Sequence, residues 1–289
     1  MKKFQSKVAT FSIIGYDPVT EELGVAVQSK FLGAGAVVPW AEAGAGAVAT
    51  QSFANTAFGP EGIHMMKKGF SPEETAAKLV ENDKDKNLRQ FAVMDHKGNT
   101  AAFTGEECYE WAGHKQGKYC TAQGNILMNG ETVDALVSTF EQSEGTLSNR
   151  LLAALEAAQN AGGDSRGKQS AALFVVQEGG GYGGYNDRKF DLRVDDHPEP
   201  IKELQRLHEL HKLYFSQSDK EDLLSLNGEV LEEVETLLIE GNLLKEKQGK
   251  YNMEVKDAIQ TYFMRENFEE RWQEDMIDPA VLAFMRSGM

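Results

Sequence analysis

The chain has 289 residues, which is enough for one or two domains, and it carries a formal net charge of −15. An acidic chain of this kind lacks the cationic surface that non-specific nucleic-acid binding needs, so nucleic acid is excluded as a partner. No apolar run is long enough to span a bilayer, which also excludes a membrane-spanning protein.

The N-terminus and the cysteines predict a cytoplasmic protein. Met1-Lys2-Lys3 resembles the start of a signal peptide, but the polar residues 5–7 interrupt any apolar stretch, so no export signal is predicted. Only two cysteines are present, Cys108 and Cys120, which fits a reducing compartment. Two thiols alone form no metal site, and neither a metal nor a cofactor is expected.

The first strands are predicted from Thr10 onward. Residues Thr10 to Tyr16 alternate hydroxyl, aromatic and aliphatic side chains, which is typical of a strand covered on both faces. Asp17-Pro18 is a turn signal, so Leu23 to Ser29 is expected to return as the second strand of a hairpin. Beyond Phe31 many residues are Gly or Ala, which predicts a strand of little bulk. Such a strand permits close approach either of another sheet or of a substrate, and both interpretations stay open.

Helices and further strands follow in blocks up to residue 215. A helix is predicted from Phe58 to Lys68, and Ser71-Pro72-Glu73-Glu74 is a capping box that begins the next one. The glycine-rich segment 179–185 opens no helix, so it is interpreted as a loop and not as a dinucleotide fingerprint. The remaining pattern predicts strands at 90–94, 100–103, 119–128, 170–176 and 191–195, and helices at 131–141, 147–160 and 201–215.

His208 and His211 lie about one turn apart on the last of these helices. A histidine pair at that spacing can hold a metal, but no third ligand is spaced to complete the site. The pair is therefore expected to lie on an exposed helix face.

The character of the chain changes after a polar linker at Ser216 to Asp219. From Ser216 onward there are eight basic and seventeen acidic residues, which is a formal charge of −9. Apolar residues recur there at helical spacing in three stretches. Two domains are therefore predicted, one spanning residues 1–215 and a small helical one spanning 216–289.

Several long motifs resemble an uncharacterised bacterial family, domain of unknown function 1028. They are TFSI at Thr10, GAVVPWAEAGAGAVATQ at Gly35, QGN at Gln123, GGDSRGKQSAAL at Gly162 and DLRVDDHPEP at Asp191. The resemblance covers roughly residues 10–215. It implies an α+β fold, the four-layer αββα sandwich of N-terminal-nucleophile (Ntn) hydrolases. Residues 216–289 are similar to a peptidoglycan-binding-like module, which implies a small all-α domain.

The resemblance also implies a reaction, the hydrolysis of an unknown amide or peptide-like substrate. In Ntn hydrolases a threonine hydroxyl attacks the carbonyl while its own α-amine, with a reference pKa near ~8, acts as the base. Backbone amides and polar side chains stabilise the oxyanion. The implied catalytic residues are Thr10, Lys30, Asp164 and Ser170, and the implied substrate-binding residues are Gln51, Ser52, Asn55, Gln123, Asn125 and Arg166.

One feature departs from the resembled family, whose members typically begin Met-Thr-Phe-Ser. Here nine residues precede Thr10, so its nitrogen is an amide with no basic lone pair. Either the Ala9–Thr10 bond is cleaved, or the true start is internal, or the activity is absent. The alternative function is therefore a catalytically inactive ligand-binding or scaffold protein. The expected partners are an amide substrate and, through residues 216–289, a peptidoglycan fragment. Because no export signal is predicted, a protein partner or no ligand at all stays open for this module, and so does a homodimer, which no specific residue supports.

Overall fold

The computed structural model describes residues 10–288, and the predictions made for residues 1–9 lie outside this range. The described chain is a mixed α/β structure with eight helices and several sheets. It divides into two compact units, the first ending at Arg206 and the second beginning at Leu207. The division falls inside one helix, Pro200–Phe215.

The elements of the first unit follow each other in blocks of strands and helices. They are β1 (Thr10–Tyr16), β2 (Leu23–Ser29), β3 (Pro39–Glu42), β4 (Gly46–Ser52), α1 (Phe58–Lys67), α2 (Pro72–Glu81), β5 (Arg89–Asp95), β6 (Thr100–Thr104), β7 (Gly113–Gly117), β8 (Cys120–Asn125), α3 (Glu131–Gln142), α4 (Leu147–Asn160), β9 (Ser170–Val176), β10 (Arg188–Val194) and α5 (Pro200–Phe215).

Two antiparallel sheets organise this unit. One has six strands in the order β10-β9-β2-β1-β8-β7, and the other has four in the order β3-β4-β5-β6. Strand β1 is interior, because it pairs with β2 on one side and with β8 on the other. The hairpin predicted from Asp17-Pro18 is confirmed, with Tyr16 opposite Leu23 and Thr10 opposite Ser29.

Glycines let the helices pack closely on the two sheets. A Cβ atom on Gly15 of β1 would lie 2.6 Å from the ring of Phe140 in α3, and one on Gly24 of β2 would lie 2.7 Å from Leu151 in α4. On the four-stranded sheet, a Cβ on Gly62 of α1 would come within 2.9 Å of Val48. Side chains cannot approach so closely without displacement, so these positions favour the residue that has none.

Between the two sheets lies a layer of side chains from both, which we call the intersheet layer. Its apolar part is a fully buried cluster that includes Ile14 and Val25 from the six-stranded sheet and Ala49 and Met94 from the four-stranded one. Side chains alternate along a strand, so residues two positions apart on these strands lie on the same face and extend the intersheet layer toward the other end of the sheets. The side chains at that other end are polar.

The glycine- and alanine-rich segment differs from its prediction as a single strand. Residues Ala34–Ala36 form a 3₁₀ turn entered through Gly33, whose φ is 66°, and only then do β3 and β4 follow. A second glycine with positive φ, Gly44 at 69°, lies in the turn between β3 and β4. Glycine accepts such angles at no steric cost, so the same composition that suits close packing also breaks the segment.

The second unit contains three helices and a short pair of strands. Its elements are β11 (Leu224–Ser225), α6 (Gly228–Glu240), α7 (Met253–Glu266), β12 (Met276–Ile277) and α8 (Pro279–Ser287). The expectation of an all-α module is thus wrong in one respect, because β11 and β12 pair antiparallel. Two-residue strands carry too little periodicity to be predicted from sequence. The buried ion pair of Arg271 with Asp278, at 2.5 Å, ties the segment before β12 to the start of α8.

His208 corrects another expectation. The side chain is only 1% exposed, because Ile201, Leu204 and His208 share the buried side of α5 at helical spacing. Burial lowers the pKa of His208 to about 4, which keeps the imidazole neutral. Among residues 10–288, no group of three or more metal-ligating side chains is placed to hold an ion. No helix in the same range is long and apolar enough to cross a membrane.

Candidate functional site

Thr10 stands at the polar end of the intersheet layer. It is opposite Ser29 of β2 and Asn125 of β8, and its side chain has no exposed surface. The Thr10 Oγ1 atom lies 3.1 Å from Ser29 Oγ, and the Thr10 carbonyl accepts a hydrogen bond of 3.3 Å from Gln51 Nε2. Thr10 thus begins the described part of an interior strand, with its hydroxyl inside a polar environment.

Gln90 of β5 sets the direction of the hydrogen bonds in this environment. Its Nε2 donates to two backbone carbonyls, those of Gly124 at 2.8 Å and Gly113 at 3.1 Å. Carbonyls only accept, so the opposite side of the Gln90 amide must be the acceptor. Its Oε1 accepts from Gln51 Nε2 at 2.8 Å and from Asn125 Nδ2 at 3.0 Å.

A second arm of the network continues from Gln51. Because Gln51 Nε2 is a donor, its Oε1 accepts, and the Ser12 hydroxyl donates to it at 2.6 Å. Ser12 Oγ in turn accepts from Gln123 Nε2 at 2.6 Å. Every amide orientation therefore follows from the two carbonyls that hold Gln90.

Two acceptor atoms of this hydrogen-bond network remain unpaired. Gln123 Oε1 and Asn125 Oδ1 are buried, and neither has a hydrogen-bond partner among the described residues. A buried polar atom without a partner costs about 1–3 kcal/mol, so a ligand group that donates a hydrogen bond to either oxygen would recover part of that cost. Asn125 lies opposite Thr10, and Gln123 lies opposite Ser12 two positions along the strand, so both side chains are on the same face of the sheet as Thr10.

Three of the predicted site residues hold the turn that follows β2. Asp164, whose carboxylate is fully buried, accepts from the backbone N–H of Lys30 at 2.8 Å and forms an ion pair with Arg166 at 3.3 Å. The guanidinium of Arg166 also donates to the Lys30 carbonyl at 3.2 Å. The Lys30 ammonium itself donates to the Lys168 carbonyl at 3.3 Å. These contacts fix the backbone directly after Ser29, the hydroxyl partner of Thr10.

Ser170 acts on the same turn. Its hydroxyl donates to the Phe31 carbonyl at 2.6 Å and accepts from the Ala34 N–H at 3.1 Å. In the sheet Ser170 lies opposite Ser29, one strand away from β1. Lys30, Asp164 and Ser170 are therefore brought to the Thr10 end of the sheet, but none of their side-chain hydrogen bonds given above joins them to the Thr10 hydroxyl.

Ser52 and Asn55 lie at the end of β4 and beyond it. Ser52 has a φ of 65°, and its hydroxyl hydrogen-bonds the Cys108 thiol, whose pKa is raised by burial. Asn55 Oδ1 accepts from the Ala57 N–H at 3.1 Å, at the start of α1. The structure thus brings Thr10, Gln51, Gln123 and Asn125 into one network and leaves Ser52 and Asn55 beside it.

Two members of the network, Ser12 and Gln90, were not among the predicted site residues. The alternation of side chains along β1 and β5 nevertheless indicates that both residues face the interior. Ser12 precedes Ile14 on the same face of β1, and Gln90 precedes Ala92 and Met94 on the same face of β5. A polar residue in phase with buried apolar ones marks a paired interior position, but its partner comes from a distant strand.

The amides and hydroxyls of this network bind and orient but do not act as strong bases. Gln90 Nε2 also donates to Thr104 Oγ1 at 3.0 Å, and this oxygen lies 2.9 Å from Nδ1 of the His114 imidazole.

The described carboxylate at this end, that of Asp164, is committed to Arg166 and to the Lys30 N–H. Among the described residues, the Thr10 hydroxyl is hydrogen-bonded to Ser29 and not to a carboxylate or an imidazole, and in the intact chain the Thr10 nitrogen is an amide.

Comparison with known proteins identifies the family. Residues 10–204 match the model of a family of unknown function, DUF1028. The chain belongs to the DUF1028 family. A crystal structure of a DUF1028 protein from Silicibacter pomeroyi is 34% identical, covers 71% of this chain and 86% of its own, and superposes with a TM-score of 0.65.

A second family model matches the C-terminal residues, and a second solved structure is only weakly similar to the chain. Residues 214–285 of this DUF1028 protein match a family model described as "Putative peptidoglycan binding domain". Anbu (ancestral beta-subunit) from Yersinia bercovieri is 12% identical over 69% of this chain and 93% of its own. Its TM-score of 0.30 is too low to indicate a shared fold. No curated protein matches the chain.

Proposed function

We propose that the DUF1028 unit is an Ntn-type amidohydrolase in which Thr10 is the nucleophile once the Ala9–Thr10 bond is broken. One observation carries the proposal. The Thr10 hydroxyl lies at the end of an interior strand, beside a network of fixed polarity that keeps two buried acceptors unpaired. Scission frees the α-amine, which then accepts the hydroxyl proton as Oγ1 bonds to the amide carbon. The proton passes to the leaving amine as the C–N bond breaks, and water hydrolyses the ester that remains on Thr10.

The arrangement of layers supports this assignment. The two sheets share the intersheet layer, α1 packs on the outer face of the four-stranded sheet, and α3 and α4 pack on that of the other. We interpret this as the four-layer αββα sandwich of Ntn hydrolases. In such a fold the nucleophile begins a strand that faces the layer between the sheets, which is the position of Thr10.

The proposed roles follow from the contacts. Gln123 and Asn125 accept hydrogen bonds from the substrate, while Gln51 positions Thr10 through its carbonyl. Lys30, Asp164, Arg166 and Ser170 support the reaction by holding the turn after Ser29. Ser52 and Asn55 stay proposed contacts for a part of the substrate that extends beyond β4.

We further propose that the C-terminal unit binds peptidoglycan-derived fragments in the cytoplasm, where both buried cysteines stay free thiols.

The proposed domains are 1–215 and 216–289. Leu213 and Tyr214 nevertheless pack against the C-terminal core, and Arg271 donates to the Lys212 and Leu213 carbonyls. A separately expressed C-terminal unit should therefore begin at Leu207.

Three proteins test the hydrolase proposal: the full-length chain, a chain that starts at Thr10, and the Thr10→Ala form of the shorter chain. The measurement is stoichiometric labelling by a hydroxyl-directed covalent probe, read by mass spectrometry of the intact protein. We expect labelling of the Thr10-start chain only, because the full-length chain has an acylated nitrogen at Thr10. Circular dichroism and thermal unfolding verify that all three proteins fold.

Equal labelling of Thr10→Ala and the Thr10-start chain would remove Thr10 as the nucleophile. If the folded Thr10-start chain is not labelled but binds small amides in a Thr10-dependent way, the site is a binding site without catalysis. That is the alternative function, and the buried position of the Thr10 hydroxyl in the intact chain is the observation that favours it.

A further inference from the structure

A groove of about 350 Å³ lies on the C-terminal unit, between α7 and the segment that follows it. Its residues are Gln260, Phe263 and Met264 from α7, with Glu269 and Trp272 beyond the helix. The rings of Phe263 and Trp272 meet edge to face, with their centroids 5.5 Å apart. Met264 is 64% exposed, so the groove presents apolar surface to solvent.

The polar groups around this apolar surface are uncommitted. Within residues 10–288, the Gln260 amide, the Glu269 carboxylate and the Trp272 indole N–H take part in no side-chain hydrogen bond or ion pair. This contrasts with Lys256, one turn before Gln260, which is paired with Glu274 at 2.5 Å. The groove thus offers free donors and free acceptors together around the Trp272 ring and the Met264 thioether, with the buried Phe263 ring packed against Trp272.

The charge of the groove restricts its ligand. Its lining contains no lysine or arginine and one carboxylate, that of Glu269. The segment from Ser216 onward carries a formal charge of −9, so its field repels anions. A carboxylate-bearing peptide stem is therefore disfavoured, whereas an uncharged ligand is not.

We propose that this groove binds a neutral saccharide, one or two N-acetylhexosamine rings of a glycan strand. A pyranose ring has an apolar C–H face and a rim of hydroxyl and acetamido groups, which complements an aromatic floor with free donors and acceptors. The inference rests on the proposed peptidoglycan-binding role and deepens it, because it assigns recognition to the glycan and not to the peptide.

The test follows the indole N–H resonances of the full-length protein by ¹⁵N-¹H NMR during titration with tri-N-acetylchitotriose. The sequence has three tryptophans, Trp40, Trp111 and Trp272, of which only Trp272 belongs to the C-terminal unit. We expect a saturable shift of the Trp272 resonance, assigned with Trp272→Phe, while the resonances of Trp40 and Trp111 stay in place.

A matched pair of substitutions locates the site. Met264→Ala removes a side chain of the groove, and Met253→Ala removes an equally exposed methionine from the first turn of the same helix. We expect Met264→Ala and Gln260→Ala each to weaken binding about three- to tenfold, the loss of one net contact, and Met253→Ala to leave it unchanged. Both methionines are exposed, so neither change endangers the fold.

Retention of the protein on purified peptidoglycan sacculi separates the two proposals. If sacculi retain the protein but millimolar trisaccharide leaves Trp272 unmoved, the saccharide inference is wrong and the peptidoglycan proposal stands. If the trisaccharide saturates the groove but neither sacculi nor soluble muropeptides released from them bind the protein, the groove binds saccharide and the peptidoglycan proposal fails. If neither binds, both are wrong; equal weakening by Met253→Ala and Met264→Ala would overturn the location.

Discussion

Strand β5 joins two contrasting ends of the intersheet layer. Gln90 and Met94 lie on the same face of this strand, and neither side chain has any exposed surface. Around Met94 the layer is filled by aliphatic and alanine side chains, whose packing is non-directional. Around Gln90 it is filled by amides and hydroxyls, each of which needs a partner of the right kind. The apolar end should therefore tolerate changes of shape, and the polar end should not tolerate the loss of a single donor or acceptor.

The largest difference in stability is expected when leucine replaces Gln90 at the polar end and Met94 at the apolar end. Gln90→Leu leaves the Gly124 and Gly113 carbonyls and the donors of Gln51 and Asn125 without their partner, so we expect the free energy of unfolding to fall by about 3–5 kcal/mol. Met94→Leu conserves volume and polarity and should cost less than about 1.5 kcal/mol. Urea unfolding of the two variants measures both. A similar loss at the two positions would show that the polar end has no special requirement.

A smaller difference is expected on strand β1. Ser12→Ala deprives Gln51 Oε1 of its donor and Gln123 Nε2 of its acceptor, which should cost about 2 kcal/mol. Ile14→Val, two residues further along the same face, removes one methylene group and should cost about 1 kcal/mol. The side-chain amide resonances of Gln51 and Gln123 should shift only in Ser12→Ala. Unchanged amide resonances in that variant would contradict the network.

The smallest effect concerns acid, and it is expected at Arg89, next to Gln90 on the opposite face of β5. Hydrogen bonds from the Arg89 guanidinium hold the pKa of Asp83 below its ordinary value, and Arg89 also binds the Phe53 carbonyl at 2.6 Å. Because the folded-state pKa is lowered, this stability is present above the unfolded pKa of about 3.9 and is lost as the pH falls through the folded-state value. Asp83→Asn should cost about 1 kcal/mol at pH 7 and progressively less below about pH 4.

Thermal unfolding from pH 7 to pH 3 measures the Asp83 effect. Glu203→Gln is the matched control, since Glu203 forms an exposed ion pair with Arg206. That pair is screened by solvent and should contribute almost nothing at any pH. A constant difference between Asp83→Asn and wild type across the range would contradict the assignment.

Features fixed by neighbouring residues could be predicted from the sequence. The Asp17-Pro18 turn and the capping box of Ser71 with Glu74 each depend on residues within a few positions, and both are observed. The family resemblance predicted that Gln123, Asn125 and Asp164 belong near Thr10. The network itself could not be predicted, because Gln51 and Gln123 reach Ser12 from 39 and 111 residues away. His208 was misplaced for a related reason, since helical spacing alone does not tell which side of a helix is covered.

The fixed polarity of the Gln90 network has a consequence for selectivity. Gln123 Oε1 and Asn125 Oδ1 can only accept, and rotating either amide would break its bond to Ser12 or to Gln90. A ligand beside Thr10 therefore gains from an N–H or O–H that it can donate, and it gains nothing there from an additional carbonyl. An amide and the ester of the same shape differ by one such N–H. The site should thus discriminate between the two before any chemistry begins, and the discrimination would originate in the backbone carbonyls of Gly113 and Gly124, which fix the orientation of Gln90.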